Sequence, residues 1–548
     1  MRRDAASHRR RGGFSERPRL VFLAAFAAFL AAIAVWSLAT PLMDAPDEPS
    51  HVAKAAAVVR GELIGQLVGG PSSPDGIVRI PAAYAGLGAL VQCYQFKAEQ
   101  PAACAPAYHG SARTVSDEIS NARYQPLYYA VVGIPSLFTD SELGIYLMRL
   151  LSGALSAVFL ALAVMAAVTW GRSRLLLAGV VVAATPSVLS LAGVVNPSGF
   201  ETSVAICLWT AAVILARERL ADPPAGLVWL VGASAGVEAL VRSLSPFWVA
   251  LTLLVALAVA DWAQLRRFLR WRPAWLAGGF VAVCGAWATG WILVEHSLNV
   301  LPPSAPVPAS VHEGQLLVMG LLRTPLYFTE MVSRFGWLVA PSPALTYLIW
   351  AGLIGLLVAL ALVSASWRHD AVLVLLVLGV VAIPVLIATG QAHRLGITWQ
   401  GKDTLPLAVG VPILAASLLA GSGLGSVRPL VRRTVAVVAA SAGLGVLVAL
   451  WGELRRNAVG DNGPAVAFFR AGWQPPLGIA GVLLLGVVTT VALTALFGLL
   501  GLPAGSSRGS GVPAPPAAVP PPPPDPMDTA VPAAPVVPAG HAEGADNA

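Results

Sequence analysis

The stretch "PLMDAPDEPSHVAKAA" at 41–56 sets Asp44, Asp47, Glu48, His51 and Lys54 close together in a chain that is only 11% charged. If a helix starts near Asp47, then Asp47, His51 and Lys54 recur at i, i+4 and i+7 and share one face, with Glu48 beside them. A carboxylate there, Asp47 with Glu48 as its companion, is a candidate general base that takes the proton of an attacking hydroxyl. Asp44, His51 and Lys54 would bind substrate, the two cations by holding phosphate oxygens or by keeping a carboxylate ionised. The plainer alternative makes Asp47 a helix cap, with Pro49 in the first turn, and the rest a solvated, self-neutralising face. A divalent ion on Asp44, Asp47 or Glu48 suits hard oxygen ligands, but no HExxH or Cys/His spacing marks a metal site.

Other polar residues sit at the edges of apolar segments. Arg123, Gln125 and Tyr128 stand in "ARYQPLYYAVVGIPSLF", Asn196 and Glu201 in "NPSGFETSVA", and Arg242 shortly before Ser245. His393, Arg394, Lys402 and Asp403 stand in "AHRLGITWQGKDTLP". Ionisable groups near bilayer depth are costly and often functional, so their gathering at one membrane surface points to a cavity for a charged, membrane-borne ligand. The alternatives are an i, i+4 pair of Glu238 with Arg242, snorkelling of Arg394 and Lys402 to lipid phosphates, and a plain turn at Asn196-Pro197.

The elements that must position these groups are membrane helices. The 548 residues are 56% hydrophobic with a mean hydropathy of +0.73, above the roughly 45–50% apolar share of soluble domains. Apolar windows fall near 20–40, 143–169, 175–193, 200–216, 226–244, 246–260, 274–294, 343–364, 371–389, 404–421, 434–451 and 477–501. Only helices satisfy their own backbone in lipid, so the expected fold is an all-α polytopic membrane protein of about twelve spans. The first span reads as a retained anchor, being longer than a signal-peptide core. The amphipathic stretch after Asp47 is expected to lie as a helix along the membrane surface, and 122–138 as an interfacial or re-entrant segment.

Arginines set the orientation. Arg2, Arg3, Arg9, Arg10, Arg11, Arg17 and Arg19 keep the basic terminus 1–19 in the cytoplasm, and twelve crossings return Arg172, Arg217, Arg219, Arg266, Arg368 and Arg432 to that side. Large loops at 41–142 and 295–342 then face outward, and both termini are cytoplasmic. The net charge of +7 follows from topology; three lysines and no basic-aromatic stripe leave no nucleic-acid signature. Abundant Ala, Arg and Gly with few Lys suggest a GC-rich bacterium and hence its cytoplasmic (inner) membrane.

Cys93 and Cys104 share the first outer loop, where an oxidising compartment permits a disulfide worth roughly 3 kcal/mol. Residues 503–548, with "PAPPAAVPPPPPDP", are expected to be a disordered cytoplasmic tail. Neither a G-x-x-x-x-G-K-[ST] loop nor a strand followed by G-x-G-x-x-G is present, which disfavours ATP-driven and dinucleotide chemistry.

"PDEPSHVAKA", "RYQPLYYAVVGIPSL", "NPSGFETSVA" and "QGKDTLPLAVGVPIL", in that order and spacing, resemble the bacterial predicted-membrane-protein family called domain of unknown function 2142. The resemblance covers most of residues 20–500. That family is similar in architecture to GT-C glycosyltransferases, which generally take a sugar from a polyprenyl-phosphate donor and use an acidic residue of the first outer loop. It implies Asp47 and Glu48 as the acidic pair, Gln125, Tyr128 and Tyr129 in a shared block, and Lys402 where the family has an Arg. It implies a polyprenyl-phosphate-sugar donor, an envelope glycan acceptor and membrane lipids as surroundings, with a divalent cation the one cofactor left open. A non-enzymatic envelope lipid or polysaccharide transporter, or an assembly scaffold, is the alternative; Pro186, Pro246 and Pro384 in or near spans are compatible with it.

Overall fold

The computed structural model describes residues 16–68, 73–218, 224–268, 270–298, 306–466 and 468–502. The basic residues before Glu16, Arg219 and the Pro/Ala-rich segment 503–548 lie outside the described residues. In chain order the helices are α1 (Pro18–Ala39), α2 (Glu48–Val58), α3 (Leu127–Val132), α4 (Glu142–Thr169), α5 (Leu176–Ala183), α6 (Pro186–Ala192) and α7 (Pro197–Arg217). Next come α8 (Ala225–Ala239), α9 (Ser245–Ala258), α10 (Trp262–Phe268), α11 (Arg272–Glu295), α12 (Glu313–Leu322) and α13 (Thr324–Ser333). The last are α14 (Ala344–Ser364), α15 (Trp367–Leu395), α16 (Gly401–Ala408), α17 (Gly410–Ala420), α18 (Arg428–Val459) and α19 (Gly478–Leu500).

Among the described residues nine helical stretches are long and apolar enough to cross a membrane, counting α16 with α17 as one. The protein is thus a mainly helical, polytopic membrane protein. Three of the twelve expected spans come out shorter. The 175–193 stretch breaks at Pro186, which has no N–H to continue α5; Thr185 instead caps α6 by accepting from the Val188 N–H. The 226–244 and 246–260 stretches become α8 and α9, of 15 and 14 residues. Between them a turn forms in which the Arg242 N–H donates to Ser245 Oγ at 3.0 Å.

Burial ranks the helices. In α7 and in α16 with α17, 89% of the apolar window is inside, against 17% for α11, so the former are central and the latter is on the outside. Both central stretches begin with residues singled out from the sequence. Asn196 starts α7 by accepting from the Ser198 N–H at 2.9 Å, with Pro197 in the first turn. At the start of α16, Gly401 presses so closely on α13 that a Cβ would lie 2.5 Å from Tyr327 O and 2.6 Å from Glu330 Cβ. That contact fixes Lys402, the next residue.

The loop between α1 and α4 builds a core of its own, with a small sheet in a mainly helical protein. Strands β1 (Gln66–Leu67), β2 (Gly76–Pro81) and β3 (Thr114–Ile119) pair antiparallel in that order. Val78 and Ile80 alternate inward along β2 and join Val52, Ala56, Tyr94, Ile119 and Tyr129 in one apolar cluster. The α2 helix is covered by this cluster rather than lying amphipathically on a membrane surface: Glu48 and every residue from His51 to Val58 are buried. The small residues of "VAKAAAV" let neighbouring elements close over it on all sides. The expected interfacial segment likewise folds into this unit as α3, with Tyr128 and Tyr129 buried.

Cys93 and Cys104 are joined in a disulfide in the same loop. Cys93→Ser should cost about 3 kcal/mol of stability, the loop-entropy value for a closure of this length. Thermal unfolding with and without reductant checks this: the variant should match the reduced wild type.

Candidate active site

Asp47 occupies the cap position of α2 but does not cap it. Its backbone is left-handed, at φ 64° and ψ 2°, and its side chain makes no cap hydrogen bond. The carboxylate turns away from the helix and accepts from Lys402 Nζ at 2.7 Å, with half of the Asp47 side chain exposed and Lys402 almost wholly buried. Backbone strain of this kind persists where surrounding contacts enforce it. Here Asn196 Nδ2 donates to Pro46 O at 2.9 Å, tying the turn to α7. Burial opposes ionisation of Asp47, but Lys402, with Arg242 further off, outweighs it and holds the carboxyl below its ordinary value. Asp47 is therefore a carboxylate at neutral pH.

Arg242 forms the second half of the site. Its guanidinium donates to Glu201 at 3.2 Å and to Asp403 at 2.8 Å. Glu201 also accepts from Ser245 Oγ at 2.5 Å, and Asp403 accepts from the Gln400 N–H at 3.2 Å. Glu238 does not pair with Arg242; neither of its carboxylate oxygens has a hydrogen-bond partner. Gln125 Nε2 donates to the carbonyl of Arg242 at 3.3 Å, so the segment before α3 supports the α8–α9 turn. Glu330 accepts from the Gly401 N–H at 2.5 Å and braces the start of α16. Asp47, Glu201, Arg242, Lys402 and Asp403 thus converge from four separate parts of the chain.

His51 lies behind Asp47. Its Nδ1 meets Asn121 Nδ2 and the Tyr129 hydroxyl, each at 2.8 Å. Both can donate, which leaves the ring proton on Nε2 in the neutral form. Burial, with Lys402 and Arg242 adding to it against the pull of Asp47, lowers His51 to about 3. A group whose pKa falls on folding destabilises the fold as pH drops from its unfolded value, near 6.5, toward its folded value. His51→Gln should therefore flatten the loss of thermal stability between pH 6.5 and 3, as measured by melting curves on both proteins.

Residues 30–411 match the family described as Predicted membrane protein (DUF2142). The chain belongs to that family. Every residue of the Asp47 site falls within the matched range. Among solved structures, ArnT from Cupriavidus metallidurans bound to undecaprenyl phosphate is similar at 18% identity, with 82% of this chain and 76% of that one covered and a TM-score of 0.33. The apo state of the same protein gives 16% identity, the same coverage and a TM-score of 0.34. No curated protein matches.

In this DUF2142 chain several sequence candidates lie apart from the Asp47 site. Glu48 faces away from it into a fully buried double contact with Arg149, whose Nε and an Nη each donate at 2.7 Å. It also accepts from the N–H groups of Met43 and Val195 at 3.1 and 3.2 Å, so its lone pairs are committed to structure. Asp44 pairs with Arg456 at 3.2 Å, and burial, only partly offset by Arg456, raises its pKa. Asp44, Asp47 and Glu48 are each engaged by a different cation rather than arranged as a shared metal-binding set. Lys54 does not join the Asp47 face either, because its ammonium is spent on the carbonyls of Leu63 and Ala122. Tyr128 is a core residue bonded to Ser152 Oγ at 2.8 Å.

Arg123 donates to the carbonyls of Ser73 and Glu295 at 3.0 and 2.9 Å and clamps the end of α11. His393 meets Val307 O at 3.0 Å, and Arg394 is exposed at the end of α15. Both precede Gly396, whose φ of 75° ends that helix and turns the chain before α16 begins. Arg149 and Tyr124, which is within electrostatic reach of Arg242 and Asp47, were not among the candidates. Arg149 carried a legible signal, a charge inside an otherwise apolar span.

Proposed function

We propose that this protein is a membrane glycosyltransferase of the GT-C kind, moving a sugar from a polyprenyl-phosphate donor to an envelope acceptor on the outer face. The observation that carries the proposal is a half-exposed, ionised Asp47 held 2.7 Å from Lys402, with Arg242 close by. The family's resemblance to GT-C enzymes supports the same assignment. An apolar groove of about 250 Å³, lined by Leu251, Leu254, Val255, Leu376, Ile383 and Leu407, runs between α9, α15 and α16 and suits a prenyl chain. A polar cavity of about 20 Å³ beside Lys402, walled by Ser187, Glu330 and Arg334 among others, has room for about one water.

The donor phosphate exchanges with Asp47 for Lys402, and Arg242 gives it a second cation. Released from its ion pair, Asp47 accepts the proton of an acceptor hydroxyl. The acceptor oxygen bonds to the anomeric carbon as the bond from that carbon to the phosphate oxygen breaks. Polyprenyl phosphate leaves with the electron pair, and the two cations stabilise its charge. Glu48 acts through the backbone of the 43–48 turn and is a positioning residue.

The test is the glycan and lipid-linked sugar composition of a deletion strain. Loss of one glycan residue with accumulation of its polyprenyl-linked donor, both reversed by the wild-type gene, is the expected result. An unchanged composition would sink the transferase assignment in favour of transport or scaffolding.

A further inference from the structure

A second charged cavity lies at the opposite end of the bundle. The α7 helix starts beside Asp47 at Asn196 and ends at Arg217, about 30 Å away at 1.5 Å per residue. There a cavity of about 530 Å³ is walled by Arg172, Arg217, Glu218, Asp261, Arg368 and Trp262. Three arginines from the α4–α5 loop, the end of α7 and the start of α15 face two carboxylates. Arg217 Nε is buried without a hydrogen-bond partner. Arg368 donates to the carbonyls of Ala258 and Ala260 at 2.7 and 3.3 Å, closing the end of α9 over the cavity.

An apolar slot of about 180 Å³ opens from the same wall. It shares Ala260 and Asp261 with the charged cavity and continues between Ala212, Leu215, Leu253 and Phe268. Basic residues at span ends ordinarily serve only orientation. Here they converge on one cavity, hold an unpaired buried donor, and adjoin an apolar slot whose lining suits an alkyl chain. Trp262, 60% exposed at the rim, suits a headgroup interface.

We infer that this cavity and slot bind the phosphate headgroup and one acyl chain of an anionic glycerophospholipid, at the membrane face opposite the Asp47 site. Arg172 and Arg217 would hold the phosphate through charge-assisted hydrogen bonds.

The test uses the full-length protein in neutral detergent and native mass spectrometry with phosphatidylglycerol, phosphatidylcholine and glycerol 1-phosphate. Phosphatidylglycerol should be retained about tenfold better than phosphatidylcholine, and Arg217→Gln should remove that preference, since one charge-assisted bond is worth about a decade in affinity. Arg432→Gln, at the same end but outside the cavity, should keep it. Equal retention of the two lipids, or equal losses from Arg217→Gln and Arg432→Gln, would overturn the inference. Binding of glycerol 1-phosphate as tight as that of the lipid would also overturn it, making the cavity a soluble-phosphate site. If Arg217→Gln does not accumulate, Leu253→Trp fills the slot without altering charge. It should lower phosphatidylglycerol retention severalfold, and unchanged retention would count against the site.

Discussion

Asp47→Asn should abolish sugar transfer while membrane abundance stays near the wild-type level and the melting temperature falls only modestly. A positioned base contributes roughly 10²- to 10⁴-fold to a proton-transfer step, so the expected loss is of that size. The substitution isolates the chemistry unusually well. Asparagine tolerates the left-handed backbone that Asp47 adopts at φ 64°, and half of the side chain is already in solvent. Only the proton-accepting oxygen and the partner charge of Lys402 disappear. The measurement is restoration of the missing glycan in the deletion strain, at matched protein levels. Full restoration by Asp47→Asn would end the general-base role, whatever the fate of the transferase assignment.

Arg149→Leu should have the largest effect on stability. Arg149 is wholly buried and joins Glu48 to the carbonyls of Ser37, Thr40 and Pro41, at 2.8 to 2.9 Å. It therefore ties the end of α1, the 41–48 turn and α4 into one assembly. Removing it strands the Glu48 carboxylate in the interior, a defect that costs about 3–5 kcal/mol. Glu48→Gln should cost less, because Arg149 keeps its three carbonyl partners and the amide oxygen can still accept. Heat-challenged solubility of the purified variants ranks them. Wild-type heat resistance in Arg149→Leu would show that the turn is held by other contacts.

Much of this architecture is legible in residue types alone. Nine long apolar stretches read as helices because hydropathy over some twenty residues survives any tertiary context, and the pair Cys93 and Cys104 needed only a shared outer loop. The ends of the central helices were also visible, since Asn196-Pro197 and the charges at 402 and 403 interrupt apolar runs. What stayed hidden depends on partners distant in sequence. The small β-sheet joins short strands lying on either side of some thirty residues, so nothing local announces it, and without it "HVAKAAAVV" looks like a surface helix. Glu48 and Asp47 are adjacent and chemically alike, yet one faces Arg149 and the other Lys402; the left-handed turn at Asp47 separates them. His393 and Arg394 precede Lys402 closely, but Gly396 redirects the chain between them.

The Asp47 to Lys402 pair spans 355 residues, whereas Glu48 to Arg149 spans 101. As the chain emerges from the ribosome, the Glu48–Arg149 pair and the first-loop part of its core can form once α4 has been made. The Asp47–Lys402 pair must await α16. Until then Asp47 lacks the cation that holds it in the folded protein, and until α7 is made the 43–48 turn also lacks its ties to Val195 and Asn196. The full cluster therefore comes late, after most of the membrane bundle has been made, and a nascent protein stalled before α16 would carry Asp47 without Lys402 and Arg242 without Asp403.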